Sequence, residues 1–312
     1  GFKQAAEMAG EAKRPHIALP VAIIGSVVLC LILFLLLQLA FMASLTPDNL
    51  SGGWSHLKLY NNNSPLFSIL KQDNLTDYIS MLSIAAIIAP LASGLMYCSS
   101  AARSLYGMSK NGYLPDLFQK LTAQGNPLFA ILLNFFIGLL LFFPLPGWGQ
   151  MVTFLTSIIT ITYAAGPVCL LALRKQLPKD EHKRPFTLPF ATLWCYVAFT
   201  LCTLFSYWSG WHILSKLGTC IAIGLGVLFS YKFISKNGKD IKLNISQSLW
   251  FFVYIIGLML LSYLGNYGGG HEILNETHLM IIMLIFCVFI MFLAQINRLP
   301  SKKTKGYIEG LV

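Results

Sequence analysis

Apolar positions along this chain come in long unbroken runs separated by short polar breaks, with no sustained alternation of apolar and polar residues. A helix needs about 20 apolar residues to cross the roughly 30 Å hydrocarbon core of a bilayer. Runs of that order recur at roughly 17–45, 77–108, 127–145, 149–173, 190–210, 212–234, 247–266 and 278–297. Inside lipid every backbone N–H and C=O must find its partner within the protein, which a continuous apolar run achieves only as a helix. A membrane barrel would show short segments of alternating polarity instead. The pattern predicts an all-α fold, a polytopic transmembrane helical bundle forming a single integral membrane domain over residues 1–312.

The breaks predict the remaining elements. The second run exceeds a bilayer's thickness, so it tilts or projects beyond the membrane at its C-terminal end. Tyr113-Leu114-Pro115-Asp116-Leu117-Phe118 reads as a short interfacial helix, and Pro144-Leu145-Pro146-Gly147 and Ser209-Gly210-Trp211 read as tight turns. Trp148, Trp208 and Trp211 fall where aromatic anchors meet lipid headgroups. The long break over 46–76 predicts a short helix at Leu66–Leu70 that covers the mouth of the bundle. Triplets beginning at Asn49, Asn62 and Asn74 match the glycosylation pattern, which is short enough to arise by chance in an Asn-rich loop.

Composition agrees, with 56% hydrophobic and 11% charged residues against about 25% charged in soluble domains. A net charge of +10 would suit nucleic acid, but the cations sit in short breaks with no aromatic-interleaved basic patch. They read as topology determinants, so the expected partner is the lipid bilayer and not nucleic acid. Sorted onto alternate sides of the helix map, all of the 22 Lys and Arg except Lys58, Lys71 and Lys216 fall on one side. The positive-inside rule then places both ends of the chain in the cytoplasm, as an even number of spans requires. The 7 cysteines all lie within apolar runs, without paired CxxC spacing, and read as small buried hydrophobes.

Enzyme chemistry has no visible constellation. Nucleophile elbow, HExxH, Walker loop and GxGxxG are all missing, the histidines are too scattered to share a metal, and Asp180-Glu181-His182 reads as a solvated loop. No ionisable residue lies near the middle of a run, so a coupling ion would have to be held by hydroxyls and backbone carbonyls. Met96-Tyr97-Cys98-Ser99-Ser100 offers such a set, a carbonyl followed three and four residues later by two hydroxyls on one helix face. Close helix packing uses small polar residues in the same way. Thr153, Thr156, Ser157, Thr160, Thr162 and Tyr163 make a hydroxyl-rich run that suits either a polar path or helix packing. Arg103 reads as an inner-gate or topology residue whose long side chain can snorkel.

Three junctions carry a family resemblance. Gly1-Phe2, then Gly10-Glu11-Ala12-Lys13-Arg14-Pro15 and Leu19-Pro20, leads straight into an apolar run. This resembles the junction of the sixth and seventh helices in the amino acid–polyamine–organocation transporter superfamily. Ala102-Arg103-Ser104-Leu105-Tyr106-Gly107-Met108-Ser109-Lys110-Asn111-Gly112-Tyr113-Leu114-Pro115 resembles the end of that family's eighth helix, with Gly125-Asn126-Pro127 opening the ninth. Lys183-Arg184-Pro185-Phe186-Thr187-Leu188-Pro189 is similar to the loop before the eleventh. The three occur in the family's order and on one membrane side, and the resemblance covers nearly the whole chain. Pro144-Leu145-Pro146-Gly147-Trp148 and Tyr207-Trp208-Ser209-Gly210-Trp211 resemble turns of its bacterial aspartate–proton symporter subgroup. Lys3 and Arg14 depart from the pattern, in which Glu often follows Gly-Phe and Asn often precedes the Pro.

The resemblance implies the second half of a LeuT-like five-plus-five inverted-repeat fold with four extra C-terminal helices. Residues 1–15 would be the inner half of a broken sixth helix and its cytoplasmic junction, 17–173 helices seven to ten, 190–297 helices eleven to fourteen, and 298–312 a cytoplasmic tail. Helices one to five would be partners missing from this sequence. The implied activity is secondary transport of amino acids across the bacterial cytoplasmic membrane, by proton-coupled symport of an acidic amino acid such as aspartate. The coupling ion would be H⁺, with Na⁺ as the alternative, and no cofactor is implied. A vestigial half without activity of its own and an amino-acid or polyamine antiporter are the competing readings. Unwound backbone at the break of such a helix binds substrate, so Gly1 and Phe2 would line the substrate site together with Tyr97 and Ser157. Met96, Ser99 and Ser100 resemble the cation site of the wider structural class. Phe2 and Tyr97 also read as ordinary packing aromatics.

Overall fold

The computed structural model of the chain describes residues 12–54, 56–58, 65–144, 147–178, 187–234 and 245–308. Gly1, Phe2, the Asn62 triplet and the Asp180-Glu181-His182 cluster lie outside the described residues. The α-helices among the described residues are α1 (Pro15–Ala43), α2 (Pro65–Gln72), α3 (Thr76–Lys110), α4 (Leu128–Leu141), α5 (Trp148–Gln176), α6 (Ala191–Trp208), α7 (Trp211–Ile234), α8 (Ile245–Leu264), α9 (Glu276–Ile296) and α10 (Ser301–Ile308). A 3₁₀ turn at Asp116–Gln119 stands in the expected interfacial stretch, and α2 covers the expected Leu66–Leu70.

Seven of these helices, α1, α3 and α5 to α9, are long and apolar enough to cross a membrane. The run at 127–145 departs from the expectation of an eighth span. Its helix α4 has 14 residues, about 21 Å of rise at 1.5 Å per residue, short of the roughly 30 Å core. The cause is local. Phe142 and Phe143 donate to the carbonyls of Leu139 and Leu140, tightening the last turn, and Pro144 has no N–H and disfavours helical geometry at the residue before it.

The chain gathers into two compact units. The first comprises residues 1–106 and 121–134. In it, α1 opens at Pro15, where the missing N–H would have been unpaired anyway, while Ile17 and Ala18 donate to the Arg14 carbonyl. The apolar windows of α1 and α3 contain no buried residue. The segment between them folds on itself. The Asn49 side chain accepts from the Thr46 N–H at 2.8 Å and the Thr46 hydroxyl at 2.7 Å, and donates to the Lys58 carbonyl at 2.8 Å. Gln72 donates to the Ser44 carbonyl at 3.2 Å, and Ser68 and Ile69 are the buried residues of α2. With its amide engaged and its side chain buried, Asn49 serves as a loop staple and is unsuited to accept a glycan.

The second unit comprises residues 107–120 and 135–312 and holds the hydrophobic core. Buried positions on α5 run Phe154, Ser157, Ile161, Ala164, Val168 and Leu171, the three-and-four spacing that keeps one helical face toward a neighbour. Ala191, Cys195, Phe199, Thr203 and Ser206 form the matching stripe on α6. Tyr254, Leu258 and Leu261 of α8 and Leu279, Met283, Cys287, Ile290 and Met291 of α9 complete the core. Small residues let these helices close up. A Cβ on Gly257 would stand 2.4 Å from the Phe286 ring, and one on Gly218 would stand 2.5 Å from the Met259 methyl.

Candidate functional site

The expected ion-binding stretch lies on α3. Pro90 stands within this continuous helix and has no N–H to offer the Ala86 carbonyl one turn back. One and a half turns later, Met96, Ser99 and Ser100 follow one another on unbroken helix, so the Met96 carbonyl and both serines share a face. Met96, Tyr97 and Ser99 are exposed, and Ser100 is half-buried.

The hydroxyl-rich run sits on α5, in the second unit, and divides between two faces. Thr156 and Thr162 are exposed, donating back to the carbonyls of Val152 and Ile158 at 2.8 and 2.7 Å. Ser157 is fully buried, and its hydroxyl donates to the Thr153 carbonyl at 2.8 Å. One turn on, Thr160 shares a 2.8 Å hydrogen bond with Ser206 of α6. The structure thus groups Met96, Tyr97, Ser99 and Ser100 on α3 in the first unit and places Ser157 in the core of the second.

Sequence reading missed the polar seam that continues from this point. Thr203 of α6 and Tyr254 of α8 share a hydrogen bond of 3.2 Å, with the Phe199 and Tyr254 rings 5.2 Å apart and the Phe286 ring stacked parallel to Tyr254 at 6.3 Å. Only the three-residue spacing of Thr203 and Ser206 hints at it. Buried hydroxyls in a lipid-embedded bundle need internal partners, and here each pair joins two helices.

At one end of the second unit the α6–α7 turn is clasped by the α8–α9 connection. Gly210 (φ 85°) and Gly268 (φ 53°) meet backbone to backbone, and a Cβ on Gly210 would stand 2.6 Å from the Gly268 Cα. The first N–H groups of α7 are orphan donors within the helix. Trp211 gives its N–H to the Tyr267 carbonyl at 3.2 Å, and His212 gives its N–H to the Gly268 carbonyl at 2.9 Å. Aromatic rings crowd this end, with Trp211 on Tyr263 at 5.2 Å and Tyr263 on His271 at 4.3 Å. No group of three metal-ligating side chains occurs among the described residues.

Three cavities of about 480, 490 and 550 Å³ open on the second unit. Leu, Ile, Val and Phe side chains dominate their walls, with Gln247, Ser248 and Ser230 and the polar tips of tyrosine and tryptophan rings as the exceptions. Such grooves suit lipid tails, whereas a free amino acid needs convergent polar groups for both its charged ends.

Long apolar helices joined by short polar connections define a multi-pass α-helical membrane protein. The profile of the amino acid permease family matches residues 1–228, and the chain belongs to that family. It is 31% identical over 292 residues to the glutamate/serine transporter AimA of Bacillus subtilis, covering 93% of this chain and 53% of that protein. It is 24% identical over 303 residues to the aspartate-proton symporter of the same organism, covering 96% of this chain and 58% of that protein. The branched-chain amino acid permease BcaP of Lactococcus lactis is 24% identical over 238 residues, 74% of this chain and 48% of that protein. The chain therefore spans about half the length of the curated relatives it matches. No solved structure matches it.

Proposed function

We propose that this chain is the C-terminal part of a secondary transporter that carries an acidic amino acid across the bacterial cytoplasmic membrane by proton-coupled symport. The observation that carries this reading is the pair of relatives above, whose names share an acidic amino acid, glutamate in one and aspartate in the other. Serine, named with glutamate in the first, is the competing cargo. In this reading both ends of the chain lie in the cytoplasm, as the cation segregation favours. This requires α4 and the residues flanking it to make an eighth crossing, because the seven long helices alone would place the ends on opposite sides.

On the same reading, five further helices complete the central site, in keeping with the chain's half coverage of its relatives. Gly1, Phe2, Tyr97 and Ser157 line the substrate path. The Met96 carbonyl with Ser99 and Ser100 holds a small cation, H⁺ being the coupling ion and Na⁺ the alternative. A chain inactive without those helices is the second reading, supported by the same half coverage.

Uptake into proteoliposomes tests the proposal, using protein that includes the additional helices and labelled aspartate, glutamate and serine in turn. An imposed inward proton gradient should accelerate acidic amino-acid uptake severalfold. Uptake indifferent to collapse of that gradient would end the proton-coupling claim, and uptake of serine alone would end the acidic-substrate claim. Replacing Ser99 and Ser100 by Ala should weaken ion dependence, and unchanged dependence removes that site.

A further inference from the structure

We propose that α10 is a reversible strap, docked at the C-terminal ends of α5 and α9 by polar contacts that water can replace. The proposal concerns the second unit alone and does not rest on the transport reading.

Along the body of the bundle α5 and α9 hold their places with apolar side chains. Ala164, Val168 and Leu171 of α5 and Ile290, Met291 and Ala294 of α9 all belong to the buried core. Toward the C-terminal ends the chemistry changes. Gln176, the last residue of α5, is buried, and its side chain donates to the Leu299 carbonyl at 2.6 Å. Gln295, next to last in α9, is buried too and donates to the Val168 carbonyl of α5 at 3.4 Å.

Helix α10 starts two residues after Leu299 and packs on α5, with Thr304 buried. The Thr304 hydroxyl turns back to the Pro300 carbonyl at 3.4 Å, within its own segment. Lys303 and Lys305 are engaged within the chain as well. Gln176 therefore fastens the residues that lead into α10 by a hydrogen bond to main chain, where the core uses interlocked apolar stripes.

The joint also carries polar atoms that docking leaves unsatisfied. Gln295 Oε1 and Asn297 Nδ2 are buried without a hydrogen-bond partner. A protein hydrogen bond gains only its margin over the bond to water that it replaces, whereas a buried group without a partner loses its hydration outright. Asn297 lies in the four-residue connection between α9 and α10, so release of α10 returns its amide to water. Docking is thus held by a replaceable contact and opposed by a buried donor, which narrows the gap between two states of one element. A strap of this kind covers the ends of α5 and α9 when docked and uncovers them when released.

The test is limited trypsin digestion of the purified full chain. Cleavage after Lys302, Lys303 and Lys305 is read by mass spectrometry against cleavage after Lys120 in the same digest. When opening and closing are fast, cutting within α10 tracks its released population. Gln176→Met keeps the length of the side chain and removes its donor, so relative cleavage within α10 should rise by about two- to tenfold. Asn297→Ala removes the unsatisfied donor and no docked contact, so relative cleavage should fall by about the same factor. The opposite signs distinguish a strap from a joint that any substitution loosens. Cleavage that does not rise in Gln176→Met, or does not fall in Asn297→Ala, would overturn the proposal.

Discussion

The apolar helices of the two units of this chain differ in how much of their surface the chain itself buries. In the first, the windows of α1 and α3 bury nothing, whereas in the second, 33% of the α5 window, 33% of the α6 window and 39% of the α9 window are buried. Helix formation in lipid follows from backbone satisfaction and needs no neighbour. Helix association needs matched stripes, small residues and partners for buried hydroxyls. The second unit has the stripes, the small residues and partners for the Ser157, Thr160, Thr203 and Ser206 hydroxyls, while the Ser262 and Tyr207 hydroxyls are buried without one. In the first, α1 and α3 show apolar side chains on every face, with 29 and 35 residues of well-formed helix.

That contrast can be broken by substitution. The largest effect should come from Phe199→Ala, which empties a fully buried position between α6 and α8. A loss of about 3–5 kcal/mol is expected, read as a drop in the thermal or denaturant midpoint of the purified protein. A much smaller effect belongs to the hydroxyl seam. A double-mutant cycle of Thr203→Val and Tyr254→Phe should return a coupling of about 0.6 kcal/mol and no more than about 1.7. Zero coupling would mean that the pair fills space and contributes no hydrogen-bond energy. The smallest effect should follow Leu33→Ala in α1, where the side chain is 55% exposed. The second unit's midpoint should move by less than about 0.5 kcal/mol, and a shift as large as that of Phe199→Ala would erase the contrast.

The sequence carries the helices more clearly than their pairing. The apolar runs that predict α1, α3 and α5 to α9 match the observed spans to within a few residues, because span length is set by the bilayer and written locally. The run at 127–145 misleads because Phe142 and Phe143 are apolar enough to extend it but sit in a turn before Pro144. The seam is illegible for a different reason. Thr160 meets Ser206 across 46 positions and Thr203 meets Tyr254 across 51, and no local pattern encodes such a partner. The α5 hydroxyl run allowed both a polar path and packing, and Ser157 and Thr160 on its inner face engage the protein's own carbonyl and hydroxyl groups. On α3, residues 96–100 keep the spacing that suggested a cation site.

The clasp between Gly210 and Gly268 bears on how the chain is made. Translation proceeds from the N-terminus, so Trp211 and His212 emerge well before Tyr267 and Gly268, whose carbonyls receive their N–H groups. Until the α8–α9 hairpin enters the bilayer, those donors at the start of α7 must be met by water at the interface or by the insertion machinery. The turn that joins the first pair of this set is thus closed by residues made only after the third helix, and a chain ending before residue 267 would leave the first donors of α7 without these acceptors.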